Sequence, residues 1–150
     1  MDAVDSPTGP APDFFVVSCT LLDRLGQLLL VRKRGTSRFM LPGGKVEAGE
    51  THLEAVLREV AEEVSLALDP AAVWLLGHWT AGAANEPGLR IASDVFAAPL
   101  PGEPVASAEI EVLRWLPIDP ACDYAADASL SPMLVEHVIP ALVARRTPQA

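Results

Sequence analysis

Apolar residues fall into strand-length runs broken by glycine, proline and charge, with one stretch where the period changes. Phe14–Leu22 is a continuous apolar run and Gly26–Val31 a second, joined through Asp23-Arg24-Leu25. Both predict strands. Val73–Trp79, Ile91–Ala98 and Glu111–Leu116 predict three more, and Gly82, Asn85 and Pro87-Gly88 mark Thr80–Leu89 as a loop. Between the second and third runs, Leu53, Val56, Leu57, Val60 and Val64 fall on one face at about 100° per residue, the buried face of a helix. Thr51 with Glu54 three residues later is a capping box, so this helix starts at Thr51. Near the C-terminus, Ser131-Pro132 reads as an N-cap followed by a first-turn proline. Leu134, Val135, Val138, Ile139, Leu142 and Val143 continue as an apolar stripe. Pro140 interrupts it, so the helix should kink or break near Ile139.

With 150 residues, half of them apolar, the expectation is one domain with a real core. We assign residues 13–148 to it and 1–12, acidic and proline-rich, to a flexible N-terminal tail. That tail has neither the basic start nor the apolar core of a signal peptide. The apolar runs fall well short of the ~20 residues of a membrane span. A cytoplasmic protein without a membrane partner is expected. A net charge of −9 argues against a nucleic-acid duplex as partner. An anionic substrate must then arrive with its metal or meet a local basic patch. Cys19 and Cys122 imply neither a disulfide framework nor a zinc site, and Cys19 is expected as a buried free thiol.

The helix also carries an ordered set of carboxylates. Glu59, Glu62 and Glu63 gather on an arc beside the apolar face, since positions three and four apart are neighbours on a helix. Like charges so placed repel, and a divalent cation would relieve them. Oxygen ligands without Cys or His suit Mg²⁺ or Mn²⁺. The ordinary alternative is a solvated acidic helix in which Arg58 pairs with Glu54 or Glu62. Against it stands the fixed spacing from a glycine turn: Gly44, then Glu50, then Arg58-Glu59 and Glu62-Glu63.

Those residues resemble the Nudix box, G-x5-E-x7-R-E-U-x-E-E-x-G-U, where U is a bulky aliphatic residue. Gly44, Glu50, Arg58, Glu59, Val60, Glu62, Glu63 and Leu66 match it. Ser65 stands where the pattern has its last glycine. A glycine there would end the helix in the left-handed region, which costs other residues about 1 kcal/mol. We read the change as a modest loss of stability and no loss of chemistry. The box covers 23 residues, and the likeness extends to Leu41-Pro-Gly-Gly-Lys45 before it and to Glu109-x5-Trp115 after it.

The resemblance implies an α/β fold, a Nudix-like α/β/α sandwich with a mixed sheet. It also implies Mg²⁺-dependent hydrolysis of a nucleoside diphosphate linked to another group, by water attacking phosphorus. Glu59 and Glu63 would be direct metal ligands, Glu62 a ligand or the holder of its water, and the Gly43 carbonyl a further ligand. Arg58 and Glu50 would pair to keep loop and helix in register. Arg32, Lys33, Arg34 and Lys45 would meet substrate phosphate. Lys45 and the compact length resemble the mutator-type nucleoside triphosphate pyrophosphohydrolases, whose substrates include oxidised nucleotides. A dinucleotide polyphosphate or nucleotide sugar is the alternative within the class, and a non-catalytic nucleotide-binding regulatory module the alternative outside it. A homodimer is left open.

The general base is not fixed by the box. Glu109 and Glu111 compete with Glu62, and on an extended strand both would point to the same face. Spacing to Trp115 puts Glu109 first, as the place where mutator-type relatives carry an additional metal-ligating glutamate. His52, His78 and His137 form no metal-spaced set, so structural or surface roles are expected. Trp74, Trp79 and Trp115 default to core packing, although one of them, or Phe39, could stack on a nucleobase.

Overall fold

A computed structural model describes residues 11–107 and 109–146. Most of the proposed tail, and residues 147–148 of the proposed domain, lie outside the described residues. The strands are β1 (Phe14–Leu22), β2 (Gln27–Lys33), β3 (Gly43–Lys45), β4 (Trp74–Gly82), β5 (Arg90–Pro99) and β6 (Ile110–Pro117). Among the described residues the α-helices are α1 (His52–Val64) and α2 (Ile139–Arg146), the latter preceded by a π-helical turn over Leu134–Val138.

The strands form one mixed sheet in the order β4-β5-β1-β2-β6. β1 and β5 run parallel, and the other neighbours along this order are antiparallel. Alternation along β2 shows how the layers form. Leu29 and Val31 join Val17, Cys19 and Leu21 of β1 under Val56, Val60 and Val64 of α1. Leu28 and Leu30 face the opposite core with Val95, Leu134, Val138 and Leu142. Each face of the sheet is thus covered by a helical layer, the α/β/α arrangement. Among the described residues no helix is long and apolar enough to cross a membrane.

β1 and β2 meet only at one end, through Leu22 and Leu28. Between them lies the segment Met40–Lys45. Met40 exchanges backbone bonds with Val31, Pro42 accepts from Cys19 N–H, and Gly43–Lys45 pair with Val16–Ser18 as β3. The sequence suggests only a turn at Gly43-Gly44, so this short strand is a correction. A methyl group at Gly43 would sit 2.1 Å from the Val17 carbonyl oxygen, so the strand can form this close only without a side chain.

The predicted helix ends hold. Thr51 caps α1 in a complete capping box, and Ser65 closes it at φ 61°, ψ 35°, donating its N–H to the Ala61 carbonyl. Near the C-terminus the break expected at Ile139 appears as the π turn, with Ile139 N–H reaching back to Leu134. Pro140 has no N–H to give and would crowd the carbonyl four residues earlier, and a wider turn relieves both. Cys19 is buried and free, its thiol pushed by burial up to about 12.

Candidate active site

The acidic arc of α1 is graded by depth. Glu63 sits at the margin of the apolar face and is buried, Glu59 is largely covered, and Glu62 is exposed, with 2%, 14% and 59% of their side chains accessible. Gly43 N–H donates to Glu63 Oε1 at 2.8 Å, while Glu63 Oε2 is buried with no hydrogen-bond partner. Its nearest cation is Lys33 Nζ at 3.9 Å. Burial pushes the Glu63 carboxyl up to about 7, against the pull of the Gly43 hydrogen bond and the Lys33 charge.

Glu59 lies over Gly44, where a methyl group would come within 2.5–2.7 Å of its carboxyl atoms. Arg58 ties this helix to the loop before it. It donates to both oxygens of Glu50 at 2.7 and 2.9 Å, to the Lys45 carbonyl at 3.1 Å, and to Glu59 at 2.8 Å. The Arg58 hydrogen bond, helped by the backbone N–H of Glu47, holds the Glu50 carboxyl down at about 2. Glu62 Oε2 lies at 3.3 Å from the same guanidinium.

A cavity of about 400 Å³ borders Glu59 and Glu62 of the acidic arc. Lys33, Glu59, Glu62 and Glu109 line it, together with Ser18, Met40, Ile91, Ser93 and Met133. Ser18 and Ser93 face each other there with their hydroxyls 3.2 Å apart. A separate depression of about 290 Å³ beside Tyr124 and Pro140 holds none of the candidate residues.

Of the four candidate phosphate-binding cations, Lys33 and Lys45 line the cavity. Arg32 and Arg34 are directed to Glu111, at 2.7 and 3.6 Å. The two competing glutamates also separate. Glu109 stands in a turn ahead of β6, with Oε1 at 3.7 Å from Lys33 Nζ and a place on the cavity wall. Glu111 is the extra residue of a bulge: Arg32 pairs with Val112 and Lys33 with Ile110, leaving Glu111 unmatched. A bulge breaks the two-residue alternation, so the expectation that both share a face fails.

Trp115 packs against the core beneath α1 and Trp79 stacks on His137 at 5.7 Å. Trp74 departs from the expected core packing: it is 43% exposed, under the Arg145 guanidinium. Phe39 lies within reach of Arg32 and Arg114, at 5.9 and 5.2 Å. The aromatic ring on the cavity wall is Phe14, with Lys45 Nζ at 4.4 Å from its centre. Nothing in the apolar run of β1 distinguishes that phenylalanine from a core residue.

A family model described as NUDIX domain matches residues 14–134. A stretch of 52 residues is 48% identical to a protein named RNA pyrophosphohydrolase from Halorhodospira halophila, covering 35% of this chain and 28% of that one. The chain therefore spans little more than a quarter of that relative's length. The fold is similar to that of a MutT protein from Methanosarcina mazei Go1, with a TM-score of 0.71 at 20% identity, over 91% of this chain and 97% of the other. It is also similar to a MutT NUDIX hydrolase from Burkholderia pseudomallei, with a TM-score of 0.65 at 25% identity, over 92% of this chain and all of the other.

Proposed function

The chain belongs to the Nudix family, and on that premise we propose that it hydrolyses a nucleoside triphosphate at a phosphoanhydride bond, with Mg²⁺, or Mn²⁺ in its place. The observation that carries this reading is the buried Oε2 of Glu63, which accepts no hydrogen bond and, among the described residues, has only Lys33 Nζ, at 3.9 Å, as an ion-pair neighbour. A carboxylate oxygen deprived of both water and a hydrogen-bond donor is costly, and a hard divalent cation is the partner that suits it. Glu59 beside it and the Gly44 backbone, which leaves Glu59 its space, fit the same ion.

Glu59 and Glu63 would hold the metal, with Glu62 and the Gly43 carbonyl adding to the set. Bound there, the ion would neutralise phosphate charge, position the ester and acidify a water. Glu109 takes the proton from the attacking water. That water's oxygen adds to phosphorus, and the bridging oxygen leaves with the electrons of the broken P–O bond. Lys33 and Lys45 meet the phosphate chain. The Glu50–Arg58 pair keeps the loop against the helix.

The size of the cavity supports a single nucleoside on that chain. About 400 Å³ is near the small end of ligand pockets, about 300–1,000 Å³, and suits one base better than two. The relative named RNA pyrophosphohydrolase supports pyrophosphate removal as the chemistry. The test is release of phosphate or pyrophosphate, with Mg²⁺, from nucleoside triphosphates, dinucleotide polyphosphates and nucleotide sugars. Release from the triphosphates is expected. Binding without release from any of them would leave a nucleotide-binding module instead.

A further inference from the structure

Away from the cavity, two of the three histidines meet on one carboxylate. His78 Nδ1 lies 2.6 Å from Asp94 Oδ1, and His52 Nδ1 contacts Asp94 Oδ2. The three come from different elements. His52 is the first residue of α1, His78 is on β4, and Asp94 is on β5 between His78 and Val17 of β1. Both rings are about half exposed, while Asp94 is 20% accessible. With Nδ1 protonated, each neutral imidazole donates to its own oxygen, so the clasp does not need a charged histidine.

We propose that Asp94 is a positioning residue for the metal-holding carboxylates, acting through His52 on the start of α1. This rests on the metal reading given above. The capping box ties the first turn of the helix to itself, Thr51 to Glu54. The His52–Asp94 contact ties that turn to the sheet. Two residues before His52 is Glu50, which holds Arg58 by two hydrogen bonds. Arg58 in turn reaches Glu59 and Glu62. Helix ends fray when nothing outside the helix holds them. Once the first turn is loose, Glu50 gives up its share of the guanidinium, and the contacts Arg58 already makes with Glu59 and Glu62 are no longer opposed. There its charge competes with a cation for the same oxygens.

Mn²⁺ binding to the full chain, followed by the electron paramagnetic resonance of the free ion, tests this without turnover. Asp94→Ala and His52→Ala are expected to weaken binding about three- to tenfold while the chain still melts cooperatively, somewhat less than the loss of a group bonded directly to a metal ligand. Asp94→Asn should stay within about twofold of the parent, since an amide accepts from one ring and donates to the other. If Asp94→Ala does not fold, His52→Ala, at an exposed position, carries the test. Unchanged Mn²⁺ affinity in His52→Ala, or in a folded Asp94→Ala, would overturn the positioning role and leave the metal reading intact. No Mn²⁺ binding by the parent would overturn both.

Discussion

Gly43 donates its backbone N–H to Glu63 Oε1 at 2.8 Å, and this bond between a three-residue strand and a helix decides which carboxylate oxygen is left over. The strand exists because Gly43 can lie against Val17. The helix turns Glu63 inward because Val60 and Val64 beside it are buried. Oε2 is then enclosed with no donor. Fold and candidate chemistry therefore depend on the same two residues.

The first prediction follows from the raised pKa of Glu63. In the absence of metal the folded chain holds this proton up to about pH 7, whereas the unfolded chain releases it near the ordinary value of 4.5. The folded state thus binds more protons between those values, and stability falls as pH rises through that window. The full effect corresponds to about 3 kcal/mol at pH 8. Glu63→Gln should be more stable than the parent by about 1–3 kcal/mol at pH 8 in chelator, and this gain should shrink towards zero at pH 5. Urea midpoints at the two pH values measure it. Mg²⁺ should raise the melting temperature of the parent through linkage and do little for the variant. A variant less stable than the parent at pH 8 would make Glu63 a structural ion-pair partner of Lys33.

The adjacent glycines should separate fold from chemistry. A methyl group at Gly43 meets backbone, 2.1 Å from the Val17 oxygen, so Gly43→Ala should cost about 3 kcal/mol or more. The atoms nearest a methyl group at Gly44 belong to the end of the Glu59 side chain, which can swing away. Gly44→Ala should therefore keep its melting temperature within a few degrees and lose Mg²⁺ affinity by about 10–100-fold. Thermal melts and a metal titration on both variants check this contrast.

Ser65 is left-handed, as its place at the end of the box suggests, but the structure adds a bond. Its hydroxyl donates to the Val105 carbonyl at 3.1 Å. Glycine at this site would relieve about 1 kcal/mol of backbone strain and lose a hydrogen bond worth about 1 kcal/mol. Ser65→Gly should then fall within about 0.5 kcal/mol of the parent. Ser65→Ala keeps the strain and loses the bond, and should be destabilised by about 1 kcal/mol. Chemical denaturation of the pair separates the two contributions.

What could be read from the sequence was what local chemistry encodes. Thr51 and Glu54 fix the start of α1 by their own side chains, Ser65 marks its end, and the strands lie within a few residues of the apolar runs. β3 could not be read, because Gly43-Gly44 has no strand propensity and pairs only where β1 and β2 diverge. The parallel pairing of β1 with β5 joins residues 77 apart, as in Phe14 with Ile91, and no local pattern records it. Asp94 escaped for the same reason, since His52 and His78 lie 42 and 16 residues from it. The carboxylate set of α1 was legible, but not its gradient of burial, which depends on how α1 seats on the sheet.

The last prediction concerns the two glutamates near β6. Strand alternation would put Glu109 and Glu111 on one face, and the bulge at Glu111 undoes that. Glu111 is engaged with Arg32 at 2.7 Å and Arg34 at 3.6 Å. Such partly exposed pairs contribute about 0–1 kcal/mol, so Glu111→Gln should cost little stability and change kcat by no more than a few-fold. Glu109 instead shares Lys33 with Glu63 and borders the cavity, 64% exposed and open to water. A general base is worth about 10²–10⁴-fold in rate. Glu109→Gln should reduce kcat within that range with little change in KM, because the amide keeps the shape of the wall and cannot take a proton. Steady-state kinetics of the two variants at saturating Mg²⁺ decide the matter. Small and equal effects would return the base to Glu62 on α1, and a loss confined to KM would make Glu109 a binding group.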